Sequence, residues 1–92
     1  MGKKDLLIKA LLMIETEDQC EALLNDLLTS KEIDDLTNRL VIAQMLDQGM
    51  TFVDIEGQVR ASSATISRVN RCLKTGTGYR FVVDHLQSEE TE

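Results

Sequence analysis

Residues 50–74 read MTFVDIEGQVRASSATISRVNRCLK. The stretch has the layout of two short helices joined by a tight turn. Thr51, with Asp54 three residues on, is a helix start signal, and it predicts a short helix over 52–59. Arg60-Ala61-Ser62 supply the turn. Ser62 or Ser63 then caps a second helix reaching about Thr75, where Gly76-Thr77-Gly78 break it. Ile55 and Val59 face inward from the first helix, Ala61 is the small residue of the turn, and Ile66, Val69 and Leu73 form the inward stripe of the second. At about 100° per residue, the opposite face of that second helix carries Ala64, Ser67, Arg68, Arg71 and Thr75. This is the pattern of a helix-turn-helix over about 51–75, in which a second helix lies in a DNA major groove.

Charge supports that reading. Between Gly57 and Val83 there is no acidic residue, yet Arg60, Arg68, Arg71, Lys74 and Arg80 fall there, five of the chain's ten basic residues. All sixteen acidic residues lie elsewhere in a chain of net charge −6. An isoelectric point near 4.7 argues against a polyanionic partner. Phosphate contacts, however, sense charge within a Debye length of about 8–10 Å, so the local distribution outweighs the total. Binding is expected to be weaker and more salt-sensitive than that of a basic protein. The small residues near the start of the second helix permit close approach to base edges, and the arginines beyond them reach bases or phosphates.

The competing reading is a helical hairpin with a solvated basic face. Glu56 stands where the first helix usually has a small residue. Arg60 stands where glycine is common in the turn, and would have to take a less comfortable backbone there.

Outward from this stretch the chain reads as helices throughout. Residues 5–14 place Leu6, Leu7, Ala10, Leu11 and Ile14 on one stripe. Thr16 with Gln19 forms a capping box, followed by Leu23, Leu24, Leu27 and Leu28 at helical spacing. Thr29 with Glu32 opens a third helix, lined by Ile33, Leu36, Leu40, Ala43, Met45 and Leu46, and capped at Gly49. A last segment over 79–87 carries Phe81, Val82, Val83 and Leu86, and 88–92 is an acidic tail expected to be disordered. No alternating run is long enough for a sheet, so the fold class is all-α.

Ninety-two residues make one domain, 1–92, at the small end of what buries a core unaided. There is no proline, and Phe52, Phe81 and Tyr79 are the only aromatic residues. Leu, Ile, Val and Met must therefore fill the core, and the apolar N-terminal stripes predict a homodimer without a stable folded monomer. No run of about 18 apolar residues exists, so no membrane span is expected. No signal peptide is expected either. Cys20 and Cys72, without metal or CxxC spacing, read as thiols in a reducing cytoplasm.

The stretch from Leu27 to Leu86 resembles the Trp repressor family. The likeness rests on LLTSKEIDDLTNRLVIAQML, then MTFVDIEGQVRASSATISR, then 70–74 ending in LK, in order and at the family's spacing apart from a turn one residue shorter around Gly49. It covers about two-thirds of the chain, and the closer likeness within the family is to the YerC/YecD branch. The ATIS-R core and the capping box at Thr29 are its most specific pieces.

The resemblance implies an intertwined homodimer of six helices per chain, with two recognition helices meeting successive major grooves of a palindromic site on double-stranded DNA. The family's base-contacting positions fall on Ser63, Ala64, Thr65 and Ser67. Its first-helix contacts fall on Phe52, Val53 and Glu56, poor phosphate partners, so the operator is expected to differ from the family's well-known one. Arg60, Arg68, Arg71 and Lys74 complete the expected DNA-binding set.

The same resemblance raises a tryptophan pocket. In the family two arginines sandwich the indole, a threonine of the other subunit contacts it, and a glycine leaves room for it. The arginines match Arg39 and Arg68, and the threonine matches Thr29. The glycine is replaced by Val69 and a serine by Cys72. A valine in a slot sized for a ring is overpacking, which costs about 1–3 kcal/mol or excludes the ligand outright. Tryptophan is therefore not expected as corepressor. Arg39 and Arg68 are instead expected to link the central and recognition helices, and any other small effector is open.

No catalytic constellation or metal site is expected. His85, beside Asp84, is the only histidine. Asp34-Asp35 and Glu89-Glu90 read as solvated pairs. The function these features support is a DNA-binding transcriptional regulator, a repressor by resemblance. The alternative is a helical module that docks another protein through its leucine-rich acidic helices. Retention on immobilised DNA that falls steeply with salt distinguishes the two.

Overall fold

The computed structural model describes residues 2–90, and among them the only regular elements are six helices: α1 (Lys3–Leu12), α2 (Glu17–Leu27), α3 (Ser30–Asp47), α4 (Phe52–Gln58), α5 (Ser63–Thr75) and α6 (Gly78–Glu90). The all-α expectation holds. The chain divides into two compact units, Met1–Ile33 and Asp34–Glu92.

In the first unit, α1 starts two residues earlier than the apolar stripe suggests and stops before Ile14. Asp5 fixes the start, since its carboxylate accepts the Gly2 N–H at 3.3 Å. Thr16 and Gln19 cap α2 reciprocally: Thr16 Oγ1 accepts the Gln19 N–H at 3.1 Å, and Gln19 Oε1 accepts the Thr16 N–H at 3.3 Å. Thr29 and Glu32 repeat the device at the start of α3, at 2.9 and 3.1 Å. Neither α1 nor α2 contains a buried residue. Leu6, Leu12 and Met13 are 66%, 79% and 72% exposed.

The second unit holds the core. Ile42 and Ala43 of α3, Ile55 of α4, Ile66 and Val69 of α5 and Val83 of α6 are all but completely buried together, and Met45, Leu46, Met50, Val59, Ala61 and Tyr79 pack against them. Ile66, Val69 and Leu73 recur at i, i+3 and i+7 and place one face of α5 inward, as its spacing predicts. Leu36 and Leu40, expected on the inward face of α3, are instead exposed. Ile42 takes their place, because the shielding residues of α4, α5 and α6 gather around the C-terminal half of α3.

Two further details differ from expectation. Arg60 is not strained: among the described residues no non-glycine residue has positive φ. The turn stays in ordinary backbone because α4 ends at an extended Val59 and Ser62 is an extended N-cap, its Oγ accepting the Thr65 N–H at 3.2 Å. The expected disordered tail is helical through Glu90, since α6 runs on without interruption; 91 and 92 lie outside the described residues.

Gly49, in contrast, is required. Its φ of +88° closes α3 in a Schellman motif, with the Gly49 N–H on the Leu46 carbonyl at 3.0 Å and the Met50 N–H on the Met45 carbonyl at 3.1 Å. A Cβ there would meet nothing within 4 Å, so the cost of a side chain is purely that of the left-handed backbone. Gly49→Ala is expected to lower stability by about 1–2 kcal/mol, measured by urea denaturation with an unchanged m-value.

Candidate nucleic-acid interface

The buried stripe of α5 decides which of its residues meet solvent. With Ile66, Val69 and Leu73 inward, Ser63, Ala64, Ser67, Arg68, Arg71 and Lys74 are exposed and Thr65 is half-buried. Ser63, Ala64 and Ser67 form the small end of that surface. Thr65 is turned toward the cap, its hydroxyl 3.1 Å from that of Ser62. Arg60 is exposed on the turn just before the helix. Among the described residues, the side-chain cations of Arg60, Arg68, Arg71 and Lys74 have no hydrogen-bond or ion-pair partner in the protein. Four cations on and beside one helix thus remain available to a polyanion.

Arg80 does not belong with them. Its Nη1 donates to Asp47 Oδ1 at 2.7 Å and to Asp84 Oδ1 at 3.1 Å. Asp47, with its side chain 16% exposed, also accepts a hydrogen bond from Gln87 Nε2. The hydrogen bonds it donates to the carboxylates of Asp47 and Asp84 raise the Arg80 pKa further above its ordinary value, so it stays charged. Its charge joins α6 to the end of α3 and is neutralised there. Asp84 lies at i+4 and is legible in the sequence, but Asp47, 33 residues away, is not.

The residues matched to the family's effector pocket are distributed differently. Val69 is 1% exposed and packed within the core. Cys72, half-buried, lines an open apolar groove with Leu40, Gly76, Gly78, Tyr79 and Val82. Arg39 is exposed at the edge of a polar cavity walled by Asp35, Asn38, Arg60, Ala61 and Thr65. Arg68 lines neither, and no hydrogen bond or ion pair joins it to Arg39. Thr29 spends its hydroxyl and N–H on capping α3. His85 is occupied locally, Nδ1 lying 2.8 Å from the Phe81 carbonyl and its ring centroid 4.3 Å from that of Phe81 at a tilt of 42°. Among the described residues, no group of three or more His, Cys, Asp or Glu side chains is placed to hold a metal ion. No helix there is long and apolar enough to cross a membrane.

The family model of the Trp repressor protein matches residues 3–87. The chain belongs to the Trp repressor family. It is 41% identical to the uncharacterized protein YerC of Bacillus subtilis (strain 168), over 99% of this chain and 89% of that one. A crystal structure of a candidate Trp repressor from Staphylococcus aureus superposes with a TM-score of 0.84 at 39% identity, over 95% of this chain and 89% of the other. A TrpR-like protein from Eubacterium eligens gives 0.83 at 38% identity, over 90% and 87%. The family fold and the likeness to the YerC branch, both expected from residues 27–86, therefore extend over nearly the whole chain, the N-terminal helices included.

The free and the neutralised arginine are expected to behave differently toward DNA. Arg71→Ala should weaken binding to every duplex by a similar factor and reduce the slope of log affinity against log salt by about 1. Arg80→Ala should leave that slope unchanged and lower the melting temperature. Both follow from fluorescence anisotropy titrations at several salt concentrations and a thermal melt.

Proposed function

We propose that this protein is a sequence-specific DNA-binding transcriptional regulator that reads a palindromic operator as a homodimer through α4 and α5. The observation that carries the reading is the solvent face of α5. Small side chains at Ser63, Ala64 and Ser67 are followed by the unpartnered cations Arg68 and Arg71, opposite a stripe buried to within a few per cent. A phosphate backbone supplies the charge those cations lack, and a small-residue helix end approaches base edges closely. Membership of the Trp repressor family supports the same role. Repression, rather than activation, is the sign that family suggests.

The homodimer is supported by the apolar side chains left in water. Leu6, Leu11 and Leu12 of α1, Met13 at its C-cap, and Leu36 and Leu40 of α3 are each more than 40% exposed, an arrangement a monomer of this size rarely sustains. A second copy pairs the two recognition helices and doubles the site. In vitro selection from random duplexes tests both parts at once. The wild type is expected to enrich two inverted half-sites whose centres lie about one DNA turn, 10–10.5 base pairs, apart. Ser67→Ala should enrich a different half-site with little change in salt slope. Pools that stay random for the wild type would refute sequence-specific reading.

Tryptophan is proposed to have no part in this regulation. Val69 lies among Ile42, Ala43, Ile55, Ile66 and Val83, so the volume a ring would need next to α5 is filled by core packing. Isothermal calorimetry with millimolar tryptophan should show no heat of binding for the wild type, and DNA affinity should not change. Val69→Gly would reopen the space and allow weak indole binding. It also removes a buried side chain, so the variant should be destabilised by about 2 kcal/mol or more. Clear heat with the wild type would overturn the steric account.

A further inference from the structure

The polar cavity at the edge of the helix-turn-helix has a composition that points to a ligand. It measures about 150 Å³ and is lined by Asp35, Asn38 and Arg39 of α3, Arg60 and Ala61 of the turn, and Thr65 of α5. Asn38 Nδ2 donates to the Arg60 carbonyl at 3.4 Å and ties the turn to α3. Both arginines are exposed. Among the described residues, neither guanidinium has a hydrogen-bond or ion-pair partner in the protein.

Two guanidiniums without a hydrogen-bond or ion-pair partner thus line one small cavity. Asp35 is the only acidic side chain on its wall, so the lining carries a formal charge of +1. The first turn of α5 borders the same space and adds the positive end of a 13-residue helix. A guanidinium fork matches the paired oxygens of a phosphodiester or a carboxylate, whereas an ammonium would offer only a point charge. A cavity of about 150 Å³ is ample for one such group.

We propose that this cavity is an oxyanion seat, formed by Arg39 and Arg60 with Asn38 and Thr65 at its edge, that takes a single monoanionic oxyanion. The chemistry is shared by two sources, a DNA phosphodiester and a free small anion. The first source rests on the DNA-binding reading above, and the second does not. Arg60 is the essential element, because it stands where a helix-turn-helix commonly carries glycine and supplies the second guanidinium. Asp35 sets the preference for one negative charge over two.

Dimethyl phosphate is the probe for the seat alone, being a monoanion with the geometry of the DNA linkage. It is titrated into the full-length protein while the arginine Nε–H resonances are followed by NMR. Saturable shifts are expected at Arg39 and Arg60, with Arg71 moving only with ionic strength. Arg39→Gln and Arg60→Gln should each weaken the binding about tenfold or more, the loss of one charge-assisted hydrogen bond. Asp35→Asn should strengthen it, a gain that misfolding cannot imitate. In a second arm, the salt dependence of duplex binding is measured for the same variants. A slope reduced by about 1 in both glutamine variants identifies the DNA phosphate as occupant. An unchanged slope together with saturable dimethyl phosphate binding identifies a free anion. No saturable shift and an unchanged slope would overturn the seat, and so would dimethyl phosphate binding that all three substitutions leave unaltered. Should the wild-type protein not bind duplex DNA at all, the regulatory reading fails while the first arm still decides the seat.

Discussion

One rotation, that of α5 about its own axis, controls most of what this protein presents to its surroundings. Burying Ile66, Val69 and Leu73 stabilises the helix in that orientation by roughly 1.5–3 kcal/mol per large apolar side chain. Turning the helix over would put Arg68 and Arg71 into the same space, and an unpaired buried charge costs several kcal/mol. The difference leaves a single orientation. Ile42 and Ala43 on α3, Ile55 on α4 and Val83 on α6 form the surface it is pressed against, and each of those helices is placed by the need to reach it.

The electrostatic arrangement follows from the same packing. A chain of net charge −6 presents unpartnered cations on α5 and the turn before it because its acidic residues are confined to other segments. Where α6 returns to α3, Arg80 meets Asp47 and Asp84 at 2.7 and 3.1 Å and its charge is consumed in holding two helices together. Five basic residues that look equivalent in one acid-free stretch therefore divide into a structural one and four that face outward. Proximity in space separates them, through carboxylates on other turns and other helices.

Val69 and the cavity at Arg39 offer a ligand very different surroundings. Val69, where the family pattern has a glycine, joins the core. A polar cavity lies at the junction of α3 and the turn, where Asn38 is bonded to the Arg60 carbonyl. Its walls are polar and net cationic, so it favours a different class of ligand from an aromatic amino acid.

The helices, their caps and the inward stripe of α5 were legible in the amino-acid order because they are local. Thr16, Thr29, Thr51 and Ser62 each accept the backbone N–H three residues on, a bond set by spacing along the chain. Gly49 ends α3 because only a residue without Cβ takes φ of +88° cheaply. Spacing also separated the exposed Ser63, Ala64 and Ser67 from the buried Ile66 and Val69. It did not reveal that Ile42, rather than Leu36 or Leu40, meets the core, nor that α6 continues into the acidic end, nor that Arg60 lies at ease and shares a cavity with Arg39. Those depend on which helix covers which half of α3, and on contacts between residues more than twenty positions apart. Sequence periodicity determines which face of a helix seeks burial; only the assembled structure decides what it is buried against, and hence which charges are left free.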